Sequence, residues 1–293
     1  MIPKTKNAAF SILELSLVIL IVGLIMAAVS EGRYLLAQSR ISSAEYLTKR
    51  SPVTEINGAI IWFETTSVNS LISSQVSNGN AISIWYNLAA SNKDAIQGTS
   101  SRQPIYSTKA IGLLPAIKFD GNDDFLTFNG SDLIGSNYTI FVVEKRSIST
   151  PNNYFIGGTD SATNSNLYLG YATNTSITHN QNNNGYTAAT APYIDYDPKI
   201  HVFIHDVANG KKYYQNGGSV STHLPQGTGT TSPLKVSLIG NGGSAIGKMN
   251  NGTTSGSYQG YIGEIIMFNR ALSDDERTDV ELYLSTKWKI KLN

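Results

Sequence analysis

Hydrophobic residues are distributed very unevenly along the chain. From Phe10 to Val29 they run almost without a break, interrupted only by Ser11, Glu14, Ser16 and Gly23. Twenty residues at the rise of an α-helix span about 30 Å, enough to cross the hydrocarbon core of a bilayer. Lys4 and Lys6 precede the run and are expected to hold its leading end in the cytoplasm. The helical pattern continues past Val29, with Tyr34, Gln38, Ile41, Ala44 and Thr48 three or four residues apart on one face and Arg33, Arg40, Glu45 and Lys49 left wet. It stops at Ser51-Pro52, because the residue before proline disfavours the helical state.

Beyond Pro52 the period changes to short β-branched and aromatic runs set off by Gly, Asn, Ser and Asp. Strands are predicted at 59–64, 81–88, 116–119, 125–128, 138–145, 154–157, 166–171, 200–206, 211–215, 235–239 and 260–268. So many short strands favour two stacked sheets over one barrel. A closing helix is predicted from the capping box Ser273-Asp274-Asp275-Glu276 to about Trp288, with Val280, Tyr283, Leu284, Lys287 and Trp288 on its apolar face. The fold class is therefore mainly β: a long N-terminal transmembrane or stalk α-helix, then a β-sandwich with a C-terminal helix.

Composition sharpens this picture by exclusion. Charged residues make up only 15% of the 293 positions, against a usual share of roughly 25%, and Gly, Asn, Ser, Thr and Tyr take their place. The 22 basic and 21 acidic residues nearly cancel, and no basic stripe is interleaved with aromatics, so no nucleic-acid partner is expected. With no Cys, disulfides and thiolate chemistry are excluded.

Glu14 is the informative residue of the apolar run, since a carboxylate there costs about 3 kcal/mol by insertion scales. A plain anchor, or a signal peptide cut after Ser30, leaves that cost unexplained, and an interfacial helix is excluded because the stretch is apolar all round. The segment Ala9-Phe10-Ser11-Ile12-Leu13-Glu14 resembles the processing site of type IV prepilins and pseudopilins. The resemblance implies a leader of residues 1–9, cleavage by a prepilin peptidase between Ala9 and Phe10, methylation of the new Phe10 amine, and a pilin-like helix over 10–51 with 10–29 in the membrane. Ala9 stands where the family usually has Gly. It further implies that Glu14 pairs with the Phe10 amine of a neighbouring pilin subunit during assembly, and that Gly23 marks where such helices often loosen. The precursor is then expected in a bacterial inner membrane, and the mature subunit in a pilus or at the cell surface.

A second resemblance covers about 56–293. Ala116-Ile117-Lys118-Phe119-Asp120-Gly121 with Asp123-Asp124-Phe125-Leu126, then Tyr213 to Gly217, Ile239-Gly240 and the block Gly260 to Ser273, are similar in order to concanavalin A-like, laminin G-type lectin domains. This implies a jelly-roll sandwich and glycan or protein binding. Tyr171, Tyr186, Tyr193 and Tyr196, around an Asn-rich stretch, are candidates to stack on surface glycans. Asp120, Asp123 and Asp124 crowd oxygen ligands into one turn, a candidate site for Ca2+, although turns gather Asp for backbone reasons too.

Catalysis is not expected. Some relatives with this sandwich cleave glycans with two carboxylates evenly spaced on one strand, and no Glu-x-Asp-x-x-Glu run exists here. Glu144 has only Lys145 and Arg146 beside it, Glu264 is read as a structural residue bonding a nearby turn, and His201 and His205 as solvent-facing strand residues. The expected function is a pilin-like subunit displaying a lectin-like domain for filament assembly and adhesion. The alternatives are a monomeric membrane-tethered lectin, a secretion-system pseudopilin and, more remotely, a glycoside hydrolase.

Overall fold

The structure, a computed structural model, describes residues 11–89, 93–174, 176–182, 185–189, 196–219, 244–250 and 255–293, with the backbone alone at 185–189, 219 and 250. The predicted strand over 235–239 lies outside the described residues. The chain divides into two compact units, Met1–Ser43 and Ala44–Asn293.

In the first unit one helix, α1 (Ile12–Lys49), carries the apolar run. An 18-residue window of it has a mean hydropathy of 2.8 with none of its surface buried, so it is long and apolar enough to cross a membrane. Leu15, Leu20, Leu24 and Met26 all stand exposed. The helix runs unbroken through Gly23, where an added Cβ would meet nothing within 4 Å. Its last turns belong to the second unit, where Ala44 and Thr48 are buried; Tyr34, on the same predicted face, is 59% exposed.

Among the described residues, the second unit is a sandwich of two eight-stranded sheets plus the small pair Lys248–Asn250 and Ser255–Ser257, with antiparallel pairings throughout. The first sheet runs, in spatial order, Gly218–Ser219, Gly210–Gln215, Lys199–Asp206, Tyr138–Arg146, Gln259–Phe268, Leu114–Asp120 and Ile105–Ile111, and Ala59–Glu64 also pairs with Gln259–Phe268. The second runs Gly185–Ala189, Ser176–Gln181, Leu167–Thr173, Asn153–Gly157, Ser244–Ile246, Leu126–Phe128, Ala95–Ile96 and Ile84–Trp85.

The central strands of the first sheet are buried on both faces, which is why Thr139-Ile140-Phe141-Val142-Val143 shows no polar alternation. Ile140 and Val142 join Phe63, Phe119, Phe155 and Phe203 between the sheets. Phe141 and Val143 join Trp62, Val202, Ile266, Leu284 and Trp288 under the C-terminal helix, α2 (Asp274–Trp288). That helix begins at the predicted capping box, with Ser273 and Glu276 exchanging side-chain and backbone hydrogen bonds.

A β-bulge between Ile262 and Glu264 resets the side-chain phase of the longest strand. Ile262 and Ile265 therefore both face the inter-sheet core, while Glu264 turns toward α2. Gly263 makes this possible, because a Cβ there would lie 2.5 Å from the Trp288 ring.

Candidate functional site

Between the sheets, the inner row of the Tyr138–Arg146 strand changes from apolar to charged: Tyr138, Ile140 and Val142 are followed by Glu144 and Arg146. On the neighbouring Lys199–Asp206 strand His201 lies beside Val142 in register, and Lys199 beside Glu144. Across the gap, Leu167–Thr173 contributes Tyr171. These side chains converge on Glu144, which is fully buried. Tyr171 donates its hydroxyl to Glu144 Oε1 at 2.7 Å, His201 Nε2 donates to the same oxygen at 2.9 Å, and Tyr258 donates to Oε2. Gly260 leaves room for that last contact, since a Cβ there would lie 2.6 Å from the Tyr258 hydroxyl.

Burial alone would raise the Glu144 carboxyl, but the hydrogen bond from His201, with those of the two hydroxyls, holds it below the ordinary carboxylate range. Burial lowers His201, and the positive charges of Lys199 and Arg146 add to that against the pull of Glu144, so its imidazole is neutral near pH 7. With Nε2 carrying the proton, Nδ1 accepts from the Tyr213 hydroxyl 2.7 Å away. Burial pushes the Tyr258 hydroxyl well above its usual range. The cluster is a carboxylate held by three donors, with the guanidinium of Arg146 lying 4.0 Å above the Tyr171 ring.

A second polar group lies toward the start of the same strand. Tyr138 hydrogen-bonds His179 Nε2 at 2.6 Å and stacks on His205 at 5.0 Å. Burial takes His179 well below its ordinary value and the nearby Lys211 amine down to about 7. A third group, on the α2 side, joins Lys287 to Glu64 at 2.8 Å and Glu264 at 2.9 Å, all three buried. Glu264 also accepts from the indoles of Trp62 and Trp288 and from the Tyr283 hydroxyl.

Several expectations are corrected here. Tyr171 is 1% exposed and engaged with Glu144, so it presents no face to a sugar. His201 and His205 are fully buried, because α2 and the second sheet cover both faces of their strand. Glu264 bonds two tryptophans, a tyrosine and a lysine instead of a turn. Tyr196 is 45% exposed. Tyr186 pairs with His179 through its backbone, and its side chain lies outside the described residues, as do Tyr193, Ala9 and Phe10.

Asp120, Asp123 and Asp124 do come together, with one ligand atom of each within 4.8 Å of the others. Asp120 Oδ1 accepts from the backbone of Asn122 and Asp123, and Asp124 Oδ2 from that of Asp120, so these carboxylates also fix the turn. Burial and the neighbouring Asp120 and Asp123 push the Asp124 carboxyl up to about 6. Glu14 and Ser11 form a capping box at the start of α1, with Ser11 N donating to Glu14 Oε2 at 2.8 Å and Glu14 N to Ser11 Oγ at 3.2 Å. The carboxylate thus has a partner within its own helix, which the sequence reading did not anticipate.

No protein-family model and no curated protein matches the sequence. Solved structures share the fold. A Trypanosoma rangeli sialidase in complex with 2,3-difluorosialic acid aligns at 12% identity and a TM-score of 0.53, over 79% of this chain and 33% of that one. A GH54 α-l-arabinofuranosidase aligns at 16% identity and a TM-score of 0.52, over 71% of this chain and 51% of that one. A mutant of the Trypanosoma rangeli sialidase displaying trans-sialidase activity aligns at 14% identity and a TM-score of 0.50, over 89% and 40%. The chain spans about a third to a half of the length of these proteins, and at such identities the likeness is one of fold. It also corrects the expectation of no enzyme: these neighbours are a sialidase and an arabinofuranosidase, so the fold gives no ground for excluding catalysis.

Proposed function

We propose that the chain is a membrane-inserted, type IV prepilin-like subunit whose sandwich engages carbohydrate. The observation that carries the first half is the apolar run of α1 up to Val29, exposed throughout, with a single acid at Glu14, five residues after the Ala9-Phe10 junction. An exposed apolar surface of that length needs lipid before assembly and other helices after it. The second half is supported by the resemblance to concanavalin A-like, laminin G-type domains and by the sialidase and arabinofuranosidase that share the sandwich. A Glu14 capped within its own helix fits a subunit that waits in the membrane before it finds a neighbour.

The test is expression with and without a prepilin peptidase. Loss of the nine-residue leader only when the peptidase is present supports the reading, and an unchanged chain refutes it. A second reading, cleavage of the bound glycan, is favoured by the hydrolase activity named for the neighbours. Release of sugar from sialosides or arabinofuranosides by the purified chain would establish it, and intact substrates after prolonged incubation would remove it.

A further inference from the structure

Arg146 is 2% exposed, and none of Nε, Nη1 and Nη2 has a hydrogen-bond partner among the described residues. A guanidinium cannot escape such a position by losing its proton, and a buried charge without an acceptor is among the costliest features a core can hold. The carboxylate closest along the strand, Glu144, does not answer it: its hydrogen bonds come from Tyr171, His201 and Tyr258, and none comes from Arg146. Lys199, beside Glu144 in register, brings a second positive charge to the same end of the inter-sheet space.

The geometry narrows what the missing acceptor is. The guanidinium carbon lies 4.0 Å from the centroid of the Tyr171 ring, a cation–π contact that leaves the N–H groups as the atoms to be satisfied. A planar fork of donors matches a carboxylate through two parallel hydrogen bonds. Arg146 is also the last residue of its strand, next to the point where the chain leaves the sheet at Ser147, so these groups lie near the rim and not at the sandwich centre.

We infer that Arg146 is the receptor for a carboxylate on the ligand of this sandwich, which makes that ligand an acidic glycan. The sugar part rests on the carbohydrate reading above, while the carboxylate part rests on the buried guanidinium alone. Since the guanidinium is almost fully covered, entry requires a local opening, and association is slow compared with a preformed site.

The test uses the full chain in detergent micelles, titrated by calorimetry with galacturonate, galactose and acetate, alongside Arg146→Met. Galacturonate should bind at least tenfold more tightly than galactose. Arg146→Met should reduce galacturonate to the level of galactose and abolish acetate binding, while its unliganded melting temperature holds or rises. Galactose and galacturonate bound equally, with Arg146→Met unchanged, would overturn the inference and leave the carbohydrate reading standing. Acetate bound through Arg146 with neither sugar bound would keep the carboxylate receptor and overturn the carbohydrate reading. If Arg146→Met fails to fold, the wild-type chain decides: a higher melting temperature with galacturonate or acetate but not with galactose supports the receptor, and no shift overturns it.

Discussion

Lys287 is the residue on which the α2 side of the sandwich depends most. Its amine joins Glu64 and Glu264 and donates to the Thr48 hydroxyl at 2.8 Å. Lys287→Met leaves two buried carboxylates facing each other, and by the usual cost of breaking a buried ion pair should lose about 3 to 5 kcal/mol in urea unfolding. A variant within 1 kcal/mol of wild type would contradict this account. The pH dependence has a definite sign as well. Burial works to raise Glu64, but Lys287 and the neighbouring hydroxyls hold it below its ordinary 4.5, so its contribution is present above that pH and lost as pH falls through the folded value. Lys211, lowered by burial to about 7, binds its proton more readily unfolded, so stability should rise between about pH 7 and 10.5, and Lys211→Met should flatten that limb of a urea-midpoint profile. Much of this was hidden at the level of single residues. His201 and His205 look solvent-facing because they are polar residues set among apolar ones along their strand, and Glu144 because Lys145 and Arg146 follow it at the end of an apolar run. The readable clue was that His201, Phe203 and His205 share a face, and that Glu144 follows Ile140 and Val142 at even spacing.

At the scale of elements, the Ser273 capping box, the α2 face and the Ala59–Glu64 strand were legible to the residue, because each rests on local chemistry. The Ile105–Ile111 and Ser176–Gln181 strands were not, since Ser107-Thr108-Lys109 and Thr178-His179-Asn180 are polar runs made strand-like only by their neighbours. The predicted strand at 81–88 shrinks to Ile84–Trp85 and a bridge at Ala81. The bulge at Gly263 left no mark in the sequence beyond the glycine itself. Gly263→Val should drive a side chain into the Trp288 ring and cost about 1 to 3 kcal/mol or more, read as a lowered urea midpoint; an unchanged midpoint would mean the ring moves freely. The last turns of α1 pack with the sandwich, where Ala44, Thr48 and Val53 are buried. A fragment beginning at Ala44 should therefore melt at a higher temperature than one beginning at Glu55, which removes the Thr48 partner of Lys287. Equal melting temperatures would show that the last turns of α1 add nothing.

For the whole molecule, one sequence specifies a helix whose apolar run is exposed and a sandwich whose fold is shared with a sialidase and an arabinofuranosidase. Under the proposed cleavage, loss of Lys4 and Lys6 would take the net charge from +1 to −1, and adhesion by the proposed subunit would then rest on specific contacts and not on bulk attraction. Glu14→Ala gives up the capping box and the proposed intersubunit pair while making insertion easier. It should leave the chain in the membrane but deplete it from sheared filaments, and wild-type levels there would refute the pairing. The central claim is tested most directly by mass spectrometry of the mature N-terminus from membranes that contain a prepilin peptidase. The account predicts a chain beginning at N-methylated Phe10, and a chain that retains Met1 or begins at Glu31 would contradict it.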